Sequence, residues 1–260
     1  CNIPVAIRVR YQLPKLRNTE LARAVRLVRE RPLVAGGRRV QTTVLVARLD
    51  VLADHLQSSP FIAILRGLTP AEAVPVAQAI VDAGLRIIEV PLNSPEPFES
   101  IRILADRFGE SCLIGAGTVT DPADVGKVRE AGGRVIVMPH GDPAVIRAAK
   151  AAGMLCTPGI CTPTEGFAAL AAGADALKLF PAEAMGPNVL KAMRAVFPRG
   201  TMFLPVGGIV PGNVGGFLKA GAAGFGLGSG LYAPGRDAAE VGRRAAEYQT
   251  AWRASVSGEQ

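Results

Sequence analysis

Lys178 stands in Ala176-Leu177-Lys178-Leu179-Phe180-Pro181, a run otherwise suited to burial. Glu89 stands in Ile87-Ile88-Glu89-Val90, and Arg66 follows Phe61-Ile62-Ala63-Ile64-Leu65 directly. If these runs are strands, alternation puts Leu177 and Leu179 on one face and Lys178 on the other. Glu89 between Ile88 and Val90, and Arg66 between Leu65 and Gly67, follow the same rule. Burying three ionisable groups is costly unless they pair or react. A lysine in a dry pocket has a depressed pKa, and its free amine attacks a carbonyl to form a Schiff base. A nearby glutamate moves the protons that this chemistry needs. The same three residues also admit a purely structural role, an Arg66–Glu89–Lys178 ion network.

Two glycine-containing turns suggest a second function. Gly207-Gly208 and Gly228-Ser229 each close an apolar run near the C-terminus. Glycine lets backbone N–H groups approach an anion, and Ser229 adds a hydroxyl donor, so a phosphate would fit there. Ordinary glycine-rich turns are the alternative. Other tempting residues carry less. Cys156 and Cys161 lack partners for a zinc site and read as core or loop thiols. With His55 and His140 the only histidines, no metal site is expected. His140 follows the fourth run and is either a ligand contact or a rim residue.

The elements that must position these groups are marked by a repeat. Gly84, Gly109, Gly132, Gly153, Gly173, Gly200 and Gly221 recur 20 to 27 residues apart, each before an apolar run, as helix-ending glycines do. Pro70, Pro95, Pro122, Pro143, Pro163, Pro187 and Pro211 alternate with them and open helices, where proline's missing N–H costs nothing. Thr162-Pro163-Thr164-Glu165 has capping-box spacing. Between the marks lie eight strand-like runs: 61–65, 87–92, 112–119, 134–139, 154–157, 176–181, 202–208 and 224–229. They are near-continuous apolar, as strands buried on both faces should be. Eight strands alternating with eight helices predict a (β/α)8 TIM barrel over residues 58–260, with chemistry at the strand C-termini. An open doubly wound sheet is the alternative topology.

Residues 1–57 differ. They hold 11 Lys and Arg against 4 Asp and Glu, whereas residues 58–260 balance at 18 each, so the chain's net charge of +7 resides in this segment. It is expected to be a basic extension, poorly ordered or non-native, with a short helix around Leu52 to Leu56. Targeting and an interaction arm are the other possibilities. The neutral body argues against a general nucleic-acid surface. No apolar run reaches the roughly 18 residues that span a bilayer. Four scattered cysteines among 260 residues do not make a disulfide scaffold and fit a reducing, cytoplasmic setting.

Several strings together resemble the bacterial 2-keto-3-deoxy-6-phosphate (KDPG/KHG) aldolases. They are Phe61–Gly67, Ile88-Glu89-Val90-Pro91-Leu92-Asn93-Ser94-Pro95, Ile114-Gly115-Ala116-Gly117-Thr118-Val119 and Ala176–Ala182. Val206-Gly207-Gly208-Ile209 and Gly226-Leu227-Gly228-Ser229 complete them. The resemblance covers about residues 59–255 in family order and leaves residues 1–57 without a counterpart. It implies that Lys178 forms the Schiff base and Glu89 acts as acid and base. It further implies that Arg66 and Thr118 hold the substrate carboxylate and that Gly207, Gly208, Gly228 and Ser229 bind the phosphate. A phosphorylated keto-deoxy sugar acid would be the substrate, no cofactor or metal would be needed, and the assembly would be a homotrimer. Glu89-Val90-Pro91-Leu92-Asn93 lacks the arginine that gluconate-series members usually carry after strand 2. That favours the galactonate-series branch, with a gluconate-series or broad-specificity aldolase as the alternative. Pro139-His140-Gly141 departs from the family's Pro-Asn.

Overall fold

The computed structural model describes residues 51–258, together with the backbone of a two-residue antiparallel pair, Val34–Ala35 with Arg38–Arg39. The expected disorder of the basic extension up to residue 50 lies outside the described residues. The chain divides into compact units of Cys1–Leu49 and Asp50–Gln260. The helix expected around Leu52 exists as α1, residues 51–58, and belongs with the second unit.

In that unit strands and helices alternate as the glycine and proline marks imply. The strands are β1 (Phe61–Ile64), β2 (Ile87–Pro91), β3 (Leu113–Gly117), β4 (Val135–Val137), β5 (Leu155–Thr157), β6 (Gly159–Ile160), β7 (Leu177–Leu179), β8 (Phe203–Pro205) and β9 (Phe225–Leu227). The helices after α1 are α2 (Pro70–Asp82), α3 (Pro97–Phe108), α4 (Pro122–Glu130), α5 (Pro143–Ala151), α6 (Pro163–Ala172), α7 (Ala182–Val196), α8 (Pro211–Ala220) and α9 (Ala238–Ser257). Local chemistry sets their starts. The carboxylates of Asp121 and Asp142 accept from the amides of Ala123 and Ala144 at 2.8 and 2.7 Å. The capping box at α6 forms, with the Thr162 amide 2.8 Å from the Glu165 carboxylate and the Glu165 amide 3.3 Å from the Thr162 hydroxyl.

Two local expectations need correction, at Pro95 and at Gly109. The third helix opens at Pro97 rather than Pro95, because the chain first turns through Glu96 in the left-handed region, φ 41°. Gly109 ends its helix at φ −63°, without the left-handed turn found at the other six marking glycines. Within α7 the helix breaks at Gly186 (φ 70°, ψ 173°) and restarts with Pro187.

All pairings in this unit are parallel. One sheet runs β9-β1-β2-β3-β4-β5 and the other β8-β7-β6. The expected uninterrupted ring of eight strands is not what the ladder forms. Pro158 follows the fifth run directly, and β5 before it pairs back to β4 while β6 beyond it pairs forward to β7. Proline supplies no amide to a ladder, yet the Pro158 carbonyl still accepts from Lys178 N at 2.9 Å. A parallel bridge joins Val206 to Gly226, just beyond β8.

Strand alternation sorts the core in two. Ile88, Val90, Ile114, Ala116, Ile136, Leu177, Leu179, Phe203 and Phe225 pack with the helices. Ile62, Ile87, Leu113, Val135, Val137, Leu155, Ala176 and Leu204 form a second cluster on the opposite, concave face of the strands. Leu52 and Leu56 of α1 join that second cluster, with exposures of 0% and 5%. Amphipathicity explains this, since residues four apart share one face of a helix.

Candidate active site

The concave face carries apolar residues toward the strand starts and polar ones farther along. Glu89 pairs in register with Ile64 and Gly115, and so lies two residues beyond Ile87 of the apolar cluster. Lys178 pairs with Gly159 and Leu204 and lies two beyond Ala176. Both side chains are buried, at 1% and 6% exposure. Leu177 and Leu179 do face the helices, as alternation requires.

Burial shapes the charges. It raises the Glu89 pKa to about 7, against the opposing pull of Lys178 and Arg66. Burial also lowers the Lys178 pKa, Glu89 works against that shift, and Arg66 adds to it. The three charges therefore sense one another, yet the purely structural ion network does not form. Arg66, expected to be buried with the other two, is exposed and turns elsewhere, donating from Nη1 to Asn93 Oδ1 at 2.6 Å and from Nη2 to Thr118 Oγ1 at 3.3 Å. Glu89 Oε2 has no hydrogen-bond partner. A buried amine with a lowered pKa beside a carboxyl poised near neutrality can act as nucleophile and proton carrier.

Backbone conformation supports these side chains at unusual expense. Thr118 is β-branched and sits at φ 54°, a left-handed value that costs such a residue about 1–3 kcal/mol. It follows β3 directly and so brings its hydroxyl to Arg66. The Ser94 hydroxyl accepts from the Gly67 amide at 2.9 Å, which fixes the turn after Arg66 against the turn after β2.

The glycine-containing turns lie at the same strand ends. Gly207 and Gly208 adopt φ 99° and 66°, values that favour glycine. A Cβ on Gly207 would lie 3.6 Å from the Phe180 ring, and one on Gly208 would meet Glu183 at 2.5 Å. The Asn213 side chain holds this turn, donating to Gly208 O at 2.8 Å and accepting from Val210 N at 3.0 Å. Gly228 lies two residues beyond Gly226, which bridges to Val206. A Cβ there would meet nothing within 4 Å. Ser229 is exposed, and its carbonyl accepts from Arg236 at 3.0 Å.

Sequence reasoning assigned no role to several neighbours. Phe180 places its ring 4.9 Å from Lys178 Nζ, and its place two residues after the lysine was the available signal. Asn93 grips Arg66 across 27 residues of sequence, a contact no local pattern reveals. Cys156 is a buried core thiol, pushed up to about 12 by desolvation, while Cys161 is exposed and donates to the Phe180 carbonyl at 2.7 Å. His140 is an exposed rim residue. Among the described residues no cluster of three metal-ligating side chains occurs.

A family model described as KDPG and KHG aldolase matches residues 52–242. The chain is 47% identical over 201 residues to the probable 2-dehydro-3-deoxy-6-phosphogalactonate aldolase of Rhizobium meliloti (strain 1021), covering 77% of this chain and 95% of that protein. It is 45% identical over 197 residues to the 2-dehydro-3-deoxy-6-phosphogalactonate aldolase of Escherichia coli (strain K12), covering 76% and 96%. A solved structure described as native KDPGal superposes with a TM-score of 0.75 at 45% identity, covering 76% of this chain and 96% of that one. The KDPG aldolase of Legionella pneumophila, solved with pyruvate captured as a covalent carbinolamine, superposes with a TM-score of 0.68 at 28% identity, covering 75% and 96%.

Proposed function

The chain belongs to the KDPG and KHG aldolase family, and from that premise we propose that it cleaves 2-dehydro-3-deoxy-6-phospho-D-galactonate to pyruvate and D-glyceraldehyde 3-phosphate. It is a class I aldolase, a carbon–carbon lyase. The observation that carries this reading is a buried lysine with a lowered pKa, facing the same side as a buried glutamate.

In this reading Lys178 Nζ attacks the C2 carbonyl, and Glu89 supplies the proton with which the carbinolamine loses water. The resulting protonated imine accepts the electron pair of the C3–C4 bond as the C4 hydroxyl gives up its proton. Glyceraldehyde 3-phosphate departs and an enamine remains on Lys178. Protonation at C3 and hydrolysis of the imine then release pyruvate. Glu89, acting through water, carries these protons, and its pKa near 7 supports both directions of transfer. Arg66 and Thr118 hold the carboxylate; Asn93 and Thr118 already fix the guanidinium fork that such an anion needs. Gly207, Gly208, Gly228 and Ser229 take the phosphate.

The strands are assigned to a (β/α)8 barrel. The Val206–Gly226 bridge and the bond from Lys178 N to Pro158 O support closure across the two sheet breaks. The assembly is assigned as a homotrimer, which light scattering tests by looking for three times the 27.0 kDa chain mass. No described helix is long and apolar enough to cross a membrane. The cytoplasm is the assigned compartment, and the free thiols of Cys112, Cys156 and Cys161 fit its reducing conditions.

The test is pyruvate release from the two C4-epimeric 6-phosphate substrates, with borohydride reduction in the presence of pyruvate. A higher kcat/KM for the galactonate-derived epimer and a reduced adduct on Lys178 are expected. Preference for the gluconate-derived epimer would move the chain to the alternative branch. An adduct elsewhere, or none, would overturn the lysine mechanism.

A further inference from the structure

Seven polar side chains are buried in the described residues: Ser59, Glu89, Ser94, Ser100, Thr157, Lys178 and Gln249. Ser59 and Gln249 bond each other at 3.0 Å, Ser94 accepts from Gly67, and Ser100 lies on α3. Glu89, Thr157 and Lys178 remain, and these three are the ones that lie on strands. All three face the same way. Thr157 pairs in register with Val137, two residues beyond Leu155, and both Val137 and Leu155 belong to the concave cluster. Parallel neighbours in register share a face, and alternate residues of one strand share it too.

Thr157 is 1% exposed and its Oγ1 has no hydrogen-bond partner. Among the described residues five buried side-chain atoms are in that condition, and the two on strands are Thr157 Oγ1 and Glu89 Oε2. A buried hydroxyl without a partner costs about 1–3 kcal/mol, which a packing role would avoid by using valine. Gly117 gives its side-chain position to the Glu89 carboxylate, and Gly159 is the register neighbour of Lys178 on the strand that continues from Thr157.

We propose that Thr157 is a positioning residue, whose hydroxyl holds the water through which Glu89 passes protons to and from the Lys178-bound intermediate. This rests on the Schiff-base reading above. In enamine protonation the proton leaves the Glu89 carboxyl for the water, and the water gives one of its own to C3. Glu89 is then a carboxylate and the intermediate an imine. The reverse transfer removes a methyl proton and restores the enamine. Thr157 changes neither protonation nor bonding, and keeps the water in line.

The test compares Thr157→Val with Thr157→Ser in two assays. Borohydride trapping of pyruvate reads imine formation. Exchange of the pyruvate methyl protons for deuterium reads the proton step. The valine variant is expected to trap pyruvate like the parent and to exchange at least about tenfold more slowly. The serine variant is expected to recover exchange to within about threefold, because it keeps the hydroxyl. Unchanged exchange in Thr157→Val would overturn the proposal. So would equal losses of trapping and exchange, or a serine variant as slow as the valine one. If valine disturbs folding, as judged by circular dichroism, the ratio of exchange to trapping in Thr157→Ser and Thr157→Ala decides: alanine alone slow supports the role, and equal ratios refute it. Failure of the unmodified protein to trap pyruvate would instead strike the Schiff-base reading itself.

Discussion

A Cβ on Gly117 would lie 1.5 Å from Oε2 of Glu89. The carboxyl thus occupies the volume that any side chain at position 117 would need. The two residues lie on adjacent strands, and the absence of a methyl group on one determines where the acid of the other can point.

Gly117→Ala should therefore displace Glu89 with little effect elsewhere. Loss of a correctly placed acid or base typically costs about 10²–10⁴ in rate. We expect a fall in kcat of at least about a hundredfold, with retained circular dichroism. Steady-state kinetics beside a melting curve would check it, and near-normal turnover would show that the carboxyl has another resting place.

Stability and activity should respond to pH in the same direction around Glu89. The Glu89 pKa is raised from 4.5 to about 7 by burial, so the folded protein holds a proton that the unfolded chain releases. Its contribution is fully present below pH 4.5 and is lost as pH rises through 7. The free enzyme needs that proton for the carbinolamine to lose water, so kcat/KM should fall along a basic limb near pH 7. Glu89→Gln should abolish that limb and raise the melting temperature at pH 8 relative to the parent. Each kcal/mol regained is worth roughly 2–4 °C in a chain of this size. A variant that melts lower at pH 8 would contradict the assignment.

Gly228 offers a clean probe of the phosphate. Since a Cβ there meets nothing within 4 Å, Gly228→Ala should leave the melting temperature close to that of the parent. The added methyl would still hinder an anion approaching the backbone. KM for the phosphorylated substrate should rise about tenfold, which corresponds to about 1.4 kcal/mol, while KM for pyruvate in the exchange assay stays level. A parallel rise in both would point away from a phosphate role.

The first helix makes a prediction about chain boundaries. Removal of residues 1–50 should leave a folded enzyme, whereas removal of residues 1–58 should expose the apolar cluster that Leu52 and Leu56 cover. Leu52→Ala alone should cost about 2–5 kcal/mol, because Leu52 is fully buried. Chemical denaturation of the three proteins measures this.

Much of this was legible in the sequence because the chain punctuates itself. Prolines at helix starts and glycines at helix ends report local backbone chemistry, and near-continuous apolar runs report strands buried on both faces. Lys178 and Glu89 were visible because an ionisable residue in such a run is conspicuous. Pro158 was less informative than it should have been: a residue with no amide directly after a strand run signals the break between β5 and β6. Asn93 and Thr157 were hidden for a different reason. Small polar residues at strand ends are common, and only a hydrogen bond showed that Asn93 holds Arg66 and only register showed that Thr157 faces inward with Lys178.

The leucine-rich cluster under the polar layer has a kinetic meaning. Leu52, Leu56 and the inward residues of the strands form an apolar floor, and Lys178 stands on its own strand two residues beyond Ala176 of that floor. Whatever is bonded to the lysine is the deepest occupant, and the aldehyde half lies between it and solvent. The aldehyde must therefore leave first and pyruvate last. In the synthetic direction pyruvate must enter before its partner, so the floor of the site and the covalent chemistry of the lysine impose the same order of addition.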